Sequence, residues 1–290
     1  MKITKIKKHW GVCIDASIDE LLSTEIDFLR DLAYESHFLL FKGLGRISDQ
    51  DMFCLISRFG KPWTAKDYEY SKELSYEVPL YDGSTGALSK FSNSKNIRLS
   101  GIAMPWHADI PIWKGMEFPW RCLYNIRNDN PEAGFTSWMS LLLDHISPSQ
   151  EELDYFSRIK ILNQSWHGHN GEEYINNFIK TDPITGKDSL RANYFVSPKW
   201  GDKAWIKETY LDNKLVNNLE ILGKIYKNLS SREDLVYQHK WSQYDCIIYN
   251  NWSFLHNRTA LELLPDQDRV FVRSNISHLS NNEWDAFKIK

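Results

Sequence analysis

The feature that most restricts how this chain can fold is the segment Met104-Pro105-Trp106-His107-Ala108-Asp109-Ile110. His107 and Asp109 stand two residues apart. In an extended strand successive side chains alternate faces, so an imidazole and a carboxylate share one surface there. That surface can hold one metal ion if a third ligand reaches it from a distant part of the chain. The best candidate is His256, in Tyr249-Asn250-Asn251-Trp252-Ser253-Phe254-Leu255-His256-Asn257-Arg258. An H-x-D triplet also arises by chance, and a lone histidine after an apolar strand is often a core residue. The surroundings therefore carry the weight.

Thirteen residues beyond His256, the segment Asp268-Arg269-Val270-Phe271-Val272-Arg273 reads as a strand with Arg269, Phe271 and Arg273 on one face. A guanidinium inside a fold is costly unless it meets an anion, so two inward arginines beside a metal point to one or two carboxylates. Two histidines and one carboxylate on one face of an octahedron leave three positions open, the arrangement of non-haem Fe(II) oxygenases.

In order along the chain, W-H-x-D, a Gly-x-Thr segment, N-x-x-x-x-H and R-x-x-x-R resemble the taurine dioxygenase (TauD/TfdA) family of Fe(II)- and 2-oxoglutarate-dependent oxygenases. The resemblance extends to Phe38-Leu39-Leu40-Phe41-Lys42-Gly43, Ser48-Asp49-Gln50-Asp51 and Phe59-Gly60-Lys61-Pro62-Trp63 near the start. It continues in Thr181-Asp182-Pro183-Ile184-Thr185-Gly186-Lys187-Asp188-Ser189-Leu190, which is similar to a family hairpin but carries Asp182 where the family often has histidine. The resemblance implies a mainly β fold with flanking helices around a double-stranded β-helix (jelly-roll) core. It implies Fe(II) on His107, Asp109 and His256, with 2-oxoglutarate and O2 as co-substrates. Arg269 and Thr136 would bind the C5 carboxylate of 2-oxoglutarate, and Arg273 falls where the family contacts an anionic substrate. Thr136 also reads as an ordinary β-branched strand residue. Tyr249 and Asn251 look like the segment that packs beneath the metal. The reaction implied couples decarboxylation of 2-oxoglutarate, releasing succinate and CO2, to oxidation of an unactivated C–H bond. With Asp109 retained, hydroxylation is the default; desaturation or ring formation stays open.

Composition sets outer limits. The 290 residues suffice for one large domain, and a single dioxygenase domain over 1–290 is the expectation. A hydrophobic content of 42% and a charged content of 25% are ordinary for a globular protein. A formal net charge of −3 supplies no basic field for nucleic acid. The four cysteines, Cys13, Cys54, Cys122 and Cys246, lack C-x-x-C spacing, which argues against a cysteine zinc site and fits reduced thiols in the cytoplasm. No apolar run reads as a signal peptide or membrane span. The partner expected is a small-molecule substrate, with no nucleic acid and no membrane; homo-oligomer formation is left open. Twelve tryptophans suit a core and also a pocket that excludes water. For Trp106, Trp113, Trp120, Trp138 and Trp252, packing is the default reading.

The periodicity predicts a helix over 18–36, capped by Ser17 or by Thr24, a strand at 38–41, and a helix from Ser48 to about Phe59. The polar stretch 82–105 reads as a long loop, either a lid over the metal or a plain surface connection. Strands follow at 120–126 and 135–141 around the turn 128–134, then a helix capped by Ser147-Pro148-Ser149 and running to about Ile159. Further strands are expected at 160–166 and 190–196, a helix from Leu215 to before Asn228, and strands at 235–241, 246–249 and 269–276. His167-Gly168-His169 reads as loop surface or pocket rim.

Two other readings share these residues: a cupin-like metal enzyme without 2-oxoglutarate, and a non-catalytic small-molecule binding protein. Arg269, Thr136 and the motif order weigh against the first; the intact His107, Asp109, His256 and Arg269 weigh against the second. Arg273 and the aromatic content lean toward an amino-acid-derived or aromatic carboxylic acid of specialised metabolism.

Overall fold

The structure, a computed structural model, describes residues 1–62, 89–92, 103–108, 120–164, 173–182, 185–191, 206–261, 263–264 and 266–277. In chain order the strands are β1 (Lys2–Lys5), β2 (Val12–Asp15), β3 (Phe38–Lys42), β4 (Lys61–Pro62), β5 (Ser89–Ser92), β6 (Met104–His107), β7 (Trp120–Asn128), β8 (Thr136–Ser140) and β9 (Ile159–Gln164). They continue as β10 (Glu173–Asn177), β11 (Ile179–Thr181), β12 (Asp188–Leu190), β13 (Ile206–Leu211), β14 (Lys214–Val216), β15 (Val236–His239), β16 (Cys246–Asn250), β17 (Phe254–Arg258) and β18 (Arg269–Ser277). The helices are α1 (Ile18–Ser23), α2 (Ile26–Ser36), α3 (Asp49–Ser57), α4 (Leu143–Ile146), α5 (Gln150–Ser157) and α6 (Lys224–Ser230), the last preceded by a π-helical turn at Leu219–Gly223.

Two sheets form the jelly roll expected from the sequence. The larger runs β1-β2-β3-β16-β7-β18-β4, with β5 added on β18; the smaller runs β15-β8-β17-β6. All pairings are antiparallel except β2 with β3. A further sheet, β10-β9-β13-β14, and the hairpin β11-β12 complete the described strands.

Strand alternation sorts the apolar side chains into three layers. Leu39, Phe41, Cys246, Ile248, Trp120, Cys122, Val272 and Ile276 face outward from the large sheet and pack on Leu21, Leu29, Ala33, Met52, Leu55 and Ile56 of α1–α3. The alternate residues Phe38, Leu40, Ile247, Tyr249 and Phe271 face inward, against Trp138 and Phe254 of the small sheet. Outside the small sheet, Met139 and Leu255 pack on Phe156, Ile225, Tyr226 and Leu229 of α5 and α6 and on Ile161 and Ile206 of the third sheet. The inner layer, between the two sheets, is where His107, His256 and Arg269 also lie buried.

Several elements depart from the sequence expectation. The helix over 18–36 is two helices. Ser17 and Glu20 form a capping box on α1, and Thr24 ends it in extended backbone (ψ 147°), its hydroxyl donating to the Glu20 carbonyl at 2.7 Å. The Arg58 guanidinium donates to the carbonyls of Leu22 and Thr24, satisfying that terminus from outside. Leu215 is not helical. It is an exposed residue of β14, hairpinned to β13 through Asp212 and Asn213, both at positive φ (52° and 60°) as a two-residue turn requires. His256 lies within β17 rather than after a strand. Of the stretch 82–105, residues 89–92 form β5 and Met104 and Pro105 begin β6; the remainder apart from residue 103 lies outside the described residues, as do His167 and His169.

Candidate active site

His107 ends β6 and His256 is central in β17, and the two are direct partners across the antiparallel ladder. Their ring centroids are 4.2 Å apart and both residues are buried. Non-adjacent segments thus deliver two imidazoles to one point, fixed by backbone pairing rather than by flexible side chains. The Nδ1–H of His107 donates to the Pro105 carbonyl at 2.7 Å. A carbonyl can only accept, so the contact sets the tautomer and makes Nε2 the nitrogen a metal would take. His256 has the Tyr249 phenol oxygen 3.5 Å from its Nδ1, with the Tyr249 ring edge-on at 5.6 Å. On the other side Trp138, its ladder partner, stacks against it at 6.5 Å and 24°. The donor set suits a divalent metal: two fixed imidazoles with their outer nitrogens held by oxygen atoms. Asp109, the third expected ligand, lies outside the described residues. Among the described residues no group of three His, Cys, Asp or Glu side chains is placed to hold a metal.

One same-face step from the histidines the inner surface becomes cationic. Thr136 pairs with Arg258, and Trp138 with His256, so Thr136 and Arg258 sit two residues along their strands from the imidazole row, roughly 7 Å. Arg269 begins β18 and is 1% exposed. Its guanidinium carbon lies 4.6 Å from the Phe271 ring and 5.9 Å from that of Trp241, and it donates to the Gly134 carbonyl. Gly134 has φ +66°, and a Cβ there would run into the Arg269 guanidinium and lie 2.7 Å from Leu261. Burial, reinforced by the Arg258 charge, pulls Arg269 down to about 9, and burial pulls Arg258 down to about 10. Both stay charged at neutral pH, and a carboxylate bound against them would oppose both effects. Thr136 is also buried, its Oγ accepting from Trp241 Nε1 at 2.8 Å.

Arg273 lies two same-face steps along β18 from Arg269 and is half-buried. Arg269, Phe271 and Arg273 share the inner face as expected, because the register irregularity opposite Val270 and Phe271 is taken up in β7. Tyr249 and Asn251 are both buried, and of the two it is Tyr249 whose ring lies against His256. Asp182 is buried and accepts from Asn250 Nδ2 at 3.1 Å, so the residue that departs from the family pattern is tied to the β16–β17 turn that precedes His256. Trp120 packs in the outer layer and Trp138 in the inner one. Sequence reading missed Trp241 and Arg258. The alternation of Phe254, His256 and Arg258 along β17 is the signal that could have found Arg258.

The model of the Taurine catabolism dioxygenase TauD, TfdA family matches residues 2–274. The chain belongs to that family. Its cofactors are therefore Fe(II) and 2-oxoglutarate, with O2 as co-substrate. Similar solved structures include AAD-2 in complex with Mn(II) and N-oxalylglycine, 14% identical over 96% of this chain and 98% of that one, with a TM-score of 0.68. A taurine dioxygenase from Burkholderia xenovorans is 15% identical over 95% of this chain and 90% of the other, with a TM-score of 0.66. The PvcB protein from Pseudomonas aeruginosa is 14% identical over 96% and 91%, with a TM-score of 0.65. At these identities the structures speak for the fold. No curated protein matches the sequence. No helix among the described residues is long and apolar enough to cross a membrane.

Proposed function

We propose that the chain is a single-domain Fe(II)- and 2-oxoglutarate-dependent dioxygenase that hydroxylates an unactivated C–H bond of a small, carboxylate-bearing molecule. His107, Asp109 and His256 hold the metal. Thr136 and Arg269 hold the C5 carboxylate of 2-oxoglutarate, and Arg273 meets the carboxylate of the substrate. The observation that carries this reading is the order along the inner face: fixed imidazoles at one level, Thr136 one strand step away, and the buried Arg269 guanidinium held on the carbonyl of Gly134, two residues before that threonine, an order that suits a diacid with one end on a metal and the other on a guanidinium. When bound, iron and 2-oxoglutarate together reduce O2, release succinate and CO2, and supply an oxidant able to take hydrogen from carbon.

The chain's own residues do the rest. His107 and His256 keep two coordination positions fixed through the ladder. Arg269 and Thr136 give a planar fork and a hydroxyl to one carboxylate end, which fixes the co-substrate's direction. Trp138, Phe271 and Tyr249 exclude water from the space between. AAD-2 bound Mn(II) and N-oxalylglycine together. Mn(II) stands there for Fe(II), and N-oxalylglycine for 2-oxoglutarate with an N–H in place of a CH2, which supports the same pairing here. An amino-acid-derived or aromatic acid of specialised metabolism fits the arginine and the aromatic wall, and the four free cysteines fit a cytoplasmic enzyme. The test is a panel of carboxylic and amino acids assayed for substrate-dependent succinate formation with Fe(II), 2-oxoglutarate and O2. An anionic substrate should stimulate succinate release and gain one oxygen atom. A neutral substrate turned over equally well by Arg273→Ala would contradict the role of Arg273.

A further inference from the structure

We propose that Trp241 is a positioning residue that sets Thr136 as a hydrogen-bond donor toward the co-substrate carboxylate. The inference rests on the assignment of Thr136 and Arg269 to that carboxylate. A threonine hydroxyl has one hydrogen and two lone pairs and rotates to suit its neighbours; an indole N–H only donates, and a carboxylate only accepts. Trp241 Nε1 donates to Thr136 Oγ1 at 2.8 Å, within a site where both residues are buried. With one lone pair so occupied, the hydroxyl hydrogen is directed away from the indole, and an incoming carboxylate oxygen can take it.

The indole cannot turn out of this role. Phe271 lies edge-on to it at 4.7 Å, His239 at 4.8 Å and Trp138 at 6.1 Å. His239 is itself held by the Tyr237 hydroxyl at 2.9 Å from Nδ1 and by Asp245 at 3.0 Å from Nε2. Asp245 also accepts from the Ser242 amide at 2.9 Å and from Lys42 at 3.2 Å. The Asn128 side chain donates to the Trp241 carbonyl at 2.9 Å, which pins the backbone. The same indole flanks the Arg269 guanidinium, so one side chain borders both groups of the anchor. A fixed donor aimed at a rotatable hydroxyl is a preorganising device: the hydroxyl is oriented before the ligand arrives.

The experiment is a double-mutant cycle on 2-oxoglutarate affinity, measured by calorimetry with the whole protein and Mn(II) so that no turnover occurs. Trp241→Phe keeps the aromatic body and removes the N–H. It should weaken 2-oxoglutarate binding about three- to tenfold in the wild-type background, the effect of one neutral hydrogen bond. In the Thr136→Val background it should have no further effect. If Trp241→Phe does not fold, site-specific replacement of the indole by its benzothiophene isostere removes the same N–H at constant shape. Unchanged affinity, or the same loss in both backgrounds, would overturn the proposal and leave Trp241 a packing residue. Wild-type affinity in both Thr136→Val and Arg269→Ala would instead overturn the anchor assignment beneath it.

Discussion

His107 and His256 owe their proximity to one ladder position, with a ring separation of 4.2 Å. A ligand face with three positions for the reaction cannot spare one of its own donors. We therefore expect His107→Ala, Asp109→Ala and His256→Ala each to abolish succinate formation while circular dichroism stays native-like; coupled turnover at wild-type iron affinity in any one would remove that residue from the set. The two arginines should separate by ligand. Arg269→Ala should weaken 2-oxoglutarate binding and Arg273→Ala substrate binding, each on the order of 2–5 kcal/mol for a charge-assisted contact. Titrating each variant with each ligand decides the matter, and the opposite pattern would mean the roles are exchanged. The shared face of Arg269 and Arg273 was legible in the sequence because strand alternation is local: R-x-x-x-R places both side chains on one side without knowledge of the fold, and the H-x-D expectation rests on the same alternation, with Asp109 outside the described residues. The Thr136–Trp241 contact was not, since its partners are 105 positions apart and only pairing of β8 with β15 brings them together.

The turn between β7 and β8 does more than reverse the chain. Gly134 sits in the left-handed region at φ +66°, its carbonyl accepts from Arg269, and its missing side chain leaves room for that guanidinium. Gly134→Ala should destabilise the protein by about 1–3 kcal/mol through backbone strain and should also weaken 2-oxoglutarate binding, because Arg269 must move. Urea denaturation and calorimetry read the two effects; wild-type values in both would show that the close approach is not needed. Element types followed the sequence where apolar runs were strong, as in β3, β7, β16 and β18. They failed where an edge strand is polar. β1, Lys-Ile-Thr-Lys, is exposed throughout and offers no alternation to read. β14 was hidden by Leu215, whose spacing to later leucines mimics a helix. The Asp212-Asn213 pair, two residues that tolerate positive φ, was the available signal for that hairpin. The split at Thr24 depended on Arg58, which no local pattern announces.

Across the molecule, three apolar layers hold two sheets face to face, and the proposed site lies in the middle one. Away from it, His37 caps α2 and His145 lies 6.3 Å from it, ring to ring. Burial holds both down at about 4; Lys187 pushes His37 the same way and Asp182 and Asp144 oppose, while His37 adds to the effect on His145. Between about pH 6.5 and 4 the unfolded chain binds protons at these sites that the native state refuses, so stability falls as pH falls through that window. The slope is at most about 1.4 kcal/mol per pH unit for each histidine. Urea denaturation at pH 7 and pH 5 should show the loss, and His37→Asn, which keeps a residue suited to the left-handed cap at φ 57°, should reduce it. An unchanged pH slope in that variant would exclude His37 as a source. The jelly roll was foreseen from motif order; the additional sheet β10-β9-β13-β14 was not, because only the β9–β13 pairing, between segments more than forty residues apart, joins its two sequence-local strand pairs into one sheet. With iron on His107, Asp109 and His256 beside a carboxylate anchor, 2-oxoglutarate should bind directly at the metal. Adding 2-oxoglutarate to the anaerobic Fe(II)-loaded protein and recording the visible spectrum checks this. A weak charge-transfer band should appear, saturate with 2-oxoglutarate, need a higher concentration in Arg269→Ala and be absent in His256→Ala. No band in the wild-type protein at saturating 2-oxoglutarate, or an undiminished band in His256→Ala, would contradict it.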